Sequence, residues 1–189
     1  MSEIQVLVAG SNVAKLNPRR GNDTAPLVNT AQLVNGSNRN NGTISRTKSE
    51  YFSSMALAGA DRDPSCISCT TFNILAPIYK RIDQKNQGLR ESDFRAFWLA
   101  RNQMILDWLL YESSSIICLQ EFWVGNEELV QMYLERLGDA GYRSFKIART
   151  NNRGDGLLTA INKQYLDVVD YRELLLNDFG DRVAQLLHV

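Results

Sequence analysis

Histidine is nearly missing from this chain and cysteine is scarce. The one histidine, His188, stands one residue from the C-terminal end, so a histidine-based nucleophile or general base has a single candidate on a tail and no triad can be assembled. Three cysteines, Cys66, Cys69 and Cys118, are an odd number and too few for a disulfide framework. Cys66 and Cys69 have the spacing of a redox or zinc pair, but no second such pair completes a zinc site. In a strand that spacing puts the thiols on opposite faces, so the pair reads as a packing feature. Charge of one sign is lacking as well: 21 basic side chains balance 21 acidic ones. Residues 1–64 carry 7 basic and 5 acidic groups, and residues 65–189 carry 14 and 16. This argues against a domain that grips polyanions by charge alone, and leaves open an enzyme whose positive centre is a metal ion. No stretch approaches the ~18 apolar residues of a membrane span. The opening MSEIQVLVAG lacks the basic n-region of a secretory signal. An intracellular protein, cytoplasmic or nuclear, is therefore expected.

What is present falls into two blocks. Residues 1–62 hold eight asparagines, two Asn-Gly turn dipeptides and no aromatic before Tyr51. Such a segment cannot bury enough surface to offset its ordering entropy and reads as a disordered leader. Its scattered arginines keep an organelle transit peptide open, while Glu3, Asp23 and Glu50 count against one. VLVAGS at 6–11 is faintly strand-like, and no dinucleotide-binding glycine pattern follows it.

From residue 65 the pattern changes. CISCTTFN (66–73) reads as a strand, followed by a polar loop over 80–92. A helix is predicted over 92–111, with Ser92 as its cap and Phe94, Phe97, Trp98, Ile105, Trp108 and Leu109 on one stripe. A buried strand at 116–120 comes next. A second helix is expected over 127–137, capped by Asn126 and stopped by Gly138. Strands are expected at 142–148, 156–162, 165–172 and 182–188. The β–α–β order makes the strands near 67–73 and 116–121 parallel. Their C-terminal ends, Asn73 and Gln120-Glu121, then share one rim of the sheet, where ligands of open α/β sheets gather.

IICLQEFWVGN (116–126) raises the central question, because a strand apolar on both faces ends on a carboxylate wedged against aromatics. A buried unpaired charge is expensive. Glu121 must reach water or meet a cation. It is either a ligand for Mg²⁺, which takes one or two carboxylates and fills its shell with water and phosphate, or a solvated strand-end glutamate. Asn73 is either a metal or oxygen ligand or a local cap for NILAP, before Pro77. Arg101, on the apolar helix face, either snorkels or offers its planar fork to a carboxylate or phosphate. Asp155-Gly156, inside NNRGDGLLTAI (151–161), either flanks the crevice, where a missing side chain lets substrate approach, or makes an ordinary hairpin turn. Read as a calcium loop from Asn151, the segment puts Arg153 and Asn162 where oxygen ligands belong.

TTFNILAPIY (70–79), Arg101 ahead of IICLQEF (116–122), DGLLTAI (155–161) and GDRVAQLLHV (180–189) together resemble the first half of an endonuclease/exonuclease/phosphatase domain. The nearest branch is that of nocturnin, angel and the carbon-catabolite-repressor deadenylases. The chain is also similar to plant members described as carrying a calcium-binding EF-hand. The resemblance implies an α+β fold, a four-layer DNase I-like sandwich of two β-sheets flanked by helices, of which residues 65–189 supply the N-terminal half. It implies Mg²⁺-dependent hydrolysis of RNA or another phosphate ester. Glu121 would hold the metal with Asn73, and Asp155 would act beside the scissile group. Arg101 and Gly156 would contact substrate. The later family motifs (Thr-His, Asp-x-Asn and Ser-Asp-His) do not occur here. The chain is thus expected to be an inactive N-terminal fragment or short isoform. A non-enzymatic competitor module, or a phosphatase of inositol or lipid phosphates, are the alternatives.

Overall fold

The computed structural model describes residues 5–9, 66–82 and 88–189. Seven strands, two α-helices and one short 3₁₀ turn form there: β1 (Gln5–Ala9), β2 (Cys69–Asn73), the 3₁₀ turn (Glu91–Asp93), α1 (Arg95–Glu112), β3 (Ile116–Phe122), α2 (Glu127–Asp139), β4 (Tyr142–Ala148), β5 (Gly156–Asn162), β6 (Asp170–Leu175) and β7 (Val183–His188). Two sheets form, one in the order β2-β3-β5-β4 and one in the order β1-β7-β6. β2 runs parallel to β3, with Cys69 opposite Ile116 and Asn73 opposite Gln120, as the crossover rule requires. The other pairings are antiparallel.

β3 explains the layering. Its residues are buried on both faces because each face meets a different layer. Ile117 and Leu119 point to the helices and join Trp98, Leu106, Leu109, Leu129 and Tyr133. Ile116 and Cys118 point to the second sheet and join Val8, Leu157, Val183 and Leu187. The fold class is α+β, and among the described residues three layers are present: helices, sheet and sheet.

Several local expectations give way. Residues 5–9 of the expected leader pair with β7, Gln5 opposite His188 and Ala9 opposite Ala184, because Val6 and Val8 complete the core between the sheets. The rest of the proposed leader, 1–4 and 10–62, lies outside the described residues. His188, read as a tail residue, sits in β7 opposite Asp170. Ser92 lies in the 3₁₀ turn, and α1 starts at Arg95 behind Phe94, which makes no side-chain cap bond. The buried face of α1 is Trp98, Asn102, Leu106 and Leu109, while Phe97 and Trp108 are exposed. The helix is apolar on more than one side, so periodicity alone could not pick the face. Buried Asn102 is satisfied by donating to Trp98 O at 2.8 Å and accepting from Tyr133 Oη at 3.0 Å. α2 is capped as expected, with the Asn126 side chain accepting from Leu129 N at 2.8 Å. It runs past Gly138, and the chain turns at Gly141 (φ +88°), where glycine is free to adopt the left-handed region. The strand expected at 165–172 begins at Asp170: Leu166 and Val168 pack on the inter-sheet core without joining a ladder.

Candidate functional site

The question set by Glu121 is answered by one extra residue. Along β3 the pairing with β5 runs Leu119–Leu158 and Gln120–Leu157, then skips to Phe122–Gly156. Glu121 is the unpaired residue of a β-bulge and sits at φ +53°. Regular alternation would send its carboxylate toward the helix layer, with Ile117 and Leu119. The bulge gives that place to Phe122, which is fully buried against Tyr133 at 5.0 Å between ring centroids. Glu121 is turned out to a crevice at the sheet rim. The left-handed conformation is costly for a residue with a Cβ. The fold avoids a buried carboxylate at the cost of local backbone strain.

Asn73, at the end of neighbouring β2, donates from Nδ2 to Glu121 Oε1 at 2.7 Å. Its Oδ1 accepts from Leu75 N at 2.9 Å, which fixes the orientation of the amide. The convergence of Asn73 and Glu121 is therefore real, and the local cap is real too. Both ends of the Asn73 amide are thus engaged within the chain. Its oxygen is turned to the backbone, and it presents a donor to Glu121. Arg101 turns its fork onto the chain as well. Nε donates to Glu91 Oε1 and Oε2 at 3.0 and 2.9 Å, and Nη2 also reaches Glu91. Nη1 donates to Ile74 O at 2.6 Å and Nη2 to Leu75 O at 2.9 Å. The guanidinium is engaged inside the chain. The intervening segment explains why spacing missed Glu91: it is brought back by the turn over 77–79 and the Arg81–Arg90 bridge.

Asp155 closes the other side of the crevice. It is buried, accepts from Tyr79 Oη at 2.7 Å, and faces Arg149 Nη1 at 3.3 and 3.4 Å. Burial, with the Asp155 carboxylate as hydrogen-bond partner and neighbouring charge, pushes the Tyr79 hydroxyl up to about 12, so it stays a donor at neutral pH. Gly156 lines the same crevice, but its missing side chain is not a substrate opening. A Cβ there would lie 2.0 Å from Ile147 O, so the gap is filled by the backbone of β4.

Four chain segments meet at this rim. Arg149 Nη2 donates to Gly180 O, and Asp181 accepts from Asn151 Nδ2 and from Arg153 Nε at 2.6 Å. The Arg153 hydrogen bond, seconded by Asn151, holds the Asp181 carboxyl below its ordinary range despite some burial. Gly125 N donates to Gly154 O at 2.8 Å. The crevice, with Gln120, Glu121, Arg149, Asp155, Gly156 and Arg182 among its walls, encloses about 120 Å³. That volume is smaller than the roughly 300 Å³ and upwards of drug-sized ligand pockets. Tyr79, Arg149 and Arg182 were not singled out from the sequence. The run of arginines at 149, 153 and 182 beside loop glycines was the available signal.

Glu121 Oε2 accepts no hydrogen bond from the described residues. One free carboxylate oxygen with solvent beside it fits a hard cation such as Mg²⁺, which keeps several waters. Among the described residues no group of three or more His, Cys, Asp or Glu side chains converges as a metal cage, and none of the helices is long and apolar enough to cross a membrane.

No family model matches the chain. It is 63% identical over 157 residues to an uncharacterized calcium-binding protein of Arabidopsis thaliana, a match covering 83% of this chain and 31% of that protein. The chain thus spans about a third of the length of the curated relative it matches. Among solved structures, ANGEL2, a 2′,3′-cyclic phosphatase in complex with adenosine-2′,3′-vanadate, superimposes with a TM-score of 0.47 at 22% identity, over 63% of this chain and 35% of that one. The human nocturnin catalytic domain with a bound sulfate anion superimposes with a TM-score of 0.42 at 20% identity, over 57% and 36%.

Proposed function

We propose that this chain carries the cation-holding part of a metal-dependent phosphoester hydrolase site, with RNA of the deadenylase type as the first substrate class and inositol or lipid phosphates as the second. One observation carries the reading: the bulge at Glu121 places a strained, half-exposed carboxylate on the crevice with a free oxygen, steadied by the Asn73 amide. In this reading Glu121 Oε2 holds Mg²⁺ directly. Asn73 fixes the rotamer of Glu121 by donating to its other oxygen. Arg149, already leaning on Asp155, offers the phosphate a cationic wall, and its Nε has no partner among the described residues. Tyr79 and Arg149 together hold the Asp155 carboxylate at one position in the crevice. A bound magnesium ion supplies the charge neutralisation that phosphoryl oxygens need.

A base that would activate water is not assigned among these groups. Glu121 is reserved for the cation, Asp155 is engaged by Arg149 and Tyr79, and His188 lies in β7 opposite Asp170. The proposal for residues 1–189 is therefore binding without turnover. The relative's name speaks of calcium, yet a Ca²⁺ site takes six to eight oxygens. Glu121 alone suits the smaller, water-rich shell of magnesium better.

Titrating chain 1–189 with Mn²⁺, followed by its electron paramagnetic signal, tests the site. One bound ion is expected, displaced by Mg²⁺ and lost in Glu121→Ala. Binding that survives Glu121→Ala removes the cation assignment. Hydrolysis of oligoadenylate or an inositol phosphate by 1–189 with Mg²⁺, abolished by Glu121→Ala, would overturn the expectation of no turnover.

A further inference from the structure

Among the described residues, a densely bonded buried charge lies outside the crevice. Glu91 is 3% exposed, at the start of the 3₁₀ turn, and accepts from Lys80 Nζ at 2.8 Å as well as from Arg101. A buried ion pair is weak support for stability, since desolvation offsets most of its attraction; fixing one geometry is its better-attested use. What this pair fixes is visible in the remaining donors of Arg101, which go to Ile74 O and Leu75 O, the two carbonyls that follow Asn73.

Those two peptides are held from every side. Ile74 N donates to Gln120 O at 3.0 Å, tying it to β3 beside the bulge. Leu75 sits at φ +52°, a conformation a leucine keeps only where its surroundings over-determine it, and its N–H is held by Asn73 Oδ1. The same Asn73 amide presents Nδ2 to Glu121. The chain of contacts runs from the Glu91 carboxylate through the Arg101 fork and the Leu75 turn to the Asn73 amide and Glu121.

We propose that Glu91 and Arg101 are positioning residues, which clamp the turn after β2 and so hold the Asn73 amide on Glu121. Lysine cannot replace Arg101, because one ammonium group cannot bridge a carboxylate and two carbonyls in a plane. The consequence for metal binding rests on the reading of Glu121 as the cation holder, but the clamp itself does not.

The test uses chain 1–189 labelled with ¹⁵N. The Asn73 side-chain amide resonances are identified by their loss in Asn73→Ala, then compared in Arg101→Lys. They are expected to move towards the positions of a free asparagine amide, while Arg95→Ala, which breaks only the surface pair with Glu128, leaves them in place. Mn²⁺ affinity is expected to fall about tenfold in Arg101→Lys, in the range known for groups that orient a metal ligand. It should fall no further when Arg101→Lys is added to Asn73→Ala. An Asn73 signal that stays put in a folded Arg101→Lys, or losses of affinity that simply add, would overturn the proposal. If Arg101→Lys does not fold, the wild-type guanidinium gives the answer: resolved, slowly rotating Nη protons are expected, and averaged ones refute the clamp. Should the amide move as expected while the wild type binds no Mn²⁺, the cation reading fails and the clamp stands.

Discussion

A glutamate in the left-handed region carries a steric cost that glycine avoids, and Glu121 carries it at φ +53°. That cost is separable from the carboxylate by comparing two variants. Glu121→Gly and Glu121→Ala both remove the acid, but only glycine removes the Cβ. Urea unfolding is expected to find Glu121→Gly more stable than Glu121→Ala by about 1 kcal/mol. Equal stabilities would show that the bulge relaxes and that no strain is stored there. The comparison also addresses why the sequence places an acid where glycine would fit better, since strain retained at a crevice is strain that the fold has not relieved.

Among the described elements, the 3₁₀ turn carries a buried charge on which its stability depends. Burial pushes the Glu91 carboxyl up, and the hydrogen bonds from Arg101 and Lys80 outweigh it, leaving it below the ordinary value of 4.5. On acidification the unfolded chain takes up this proton first, so the contribution is fully present above pH 4.5 and is lost as pH falls through the lower folded value. Glu91→Gln is expected to be less stable by about 2 kcal/mol at neutral pH. It should also show a shallower loss of melting temperature below pH 4.5 than the wild type. Parallel acid limbs in the two proteins would mean that folding does not lower the Glu91 carboxyl. Asp178 and Asp181 contribute to the slope that remains, with Glu128 and Asp170, since all are also held low: Asp178 first by the Arg182 backbone, Asp181 first by Arg153, Glu128 first by Arg95 and Asp170 first by Arg172.

For the molecule as a whole, the open surfaces matter most. Among the described residues β2 is an edge strand of its sheet, and Phe72 on it is 40% exposed although it rests edge-on against Trp108. Among the described residues β6 is an edge of the other sheet, and Leu175 at its end and Leu176 and Phe179 just beyond it are exposed. Unpaired edges flanked by apolar side chains template association. Sedimentation velocity of 1–189 is expected to show mass rising with concentration, and Phe72→Lys should lower it. A monomer at every concentration would count against this account.

The sequence by itself determined the parallel meeting of β2 and β3, because a strand buried on both faces, reached through a helix, has one favourable crossover. It also determined the cap of α2, since Asn126 needs only a neighbour three residues on. The pairing of β1 with β7 was beyond it, because strand partners from opposite ends of the chain leave no local signal. The same holds for Arg101, whose partner Glu91 and carbonyl acceptors are brought to it by a turn. Which way the Asn73 amide faces, and that Glu121 escapes the core through a bulge, only the tertiary structure decided. Alternation along a strand is a two-residue rule, and a single inserted residue changes which face every later side chain occupies.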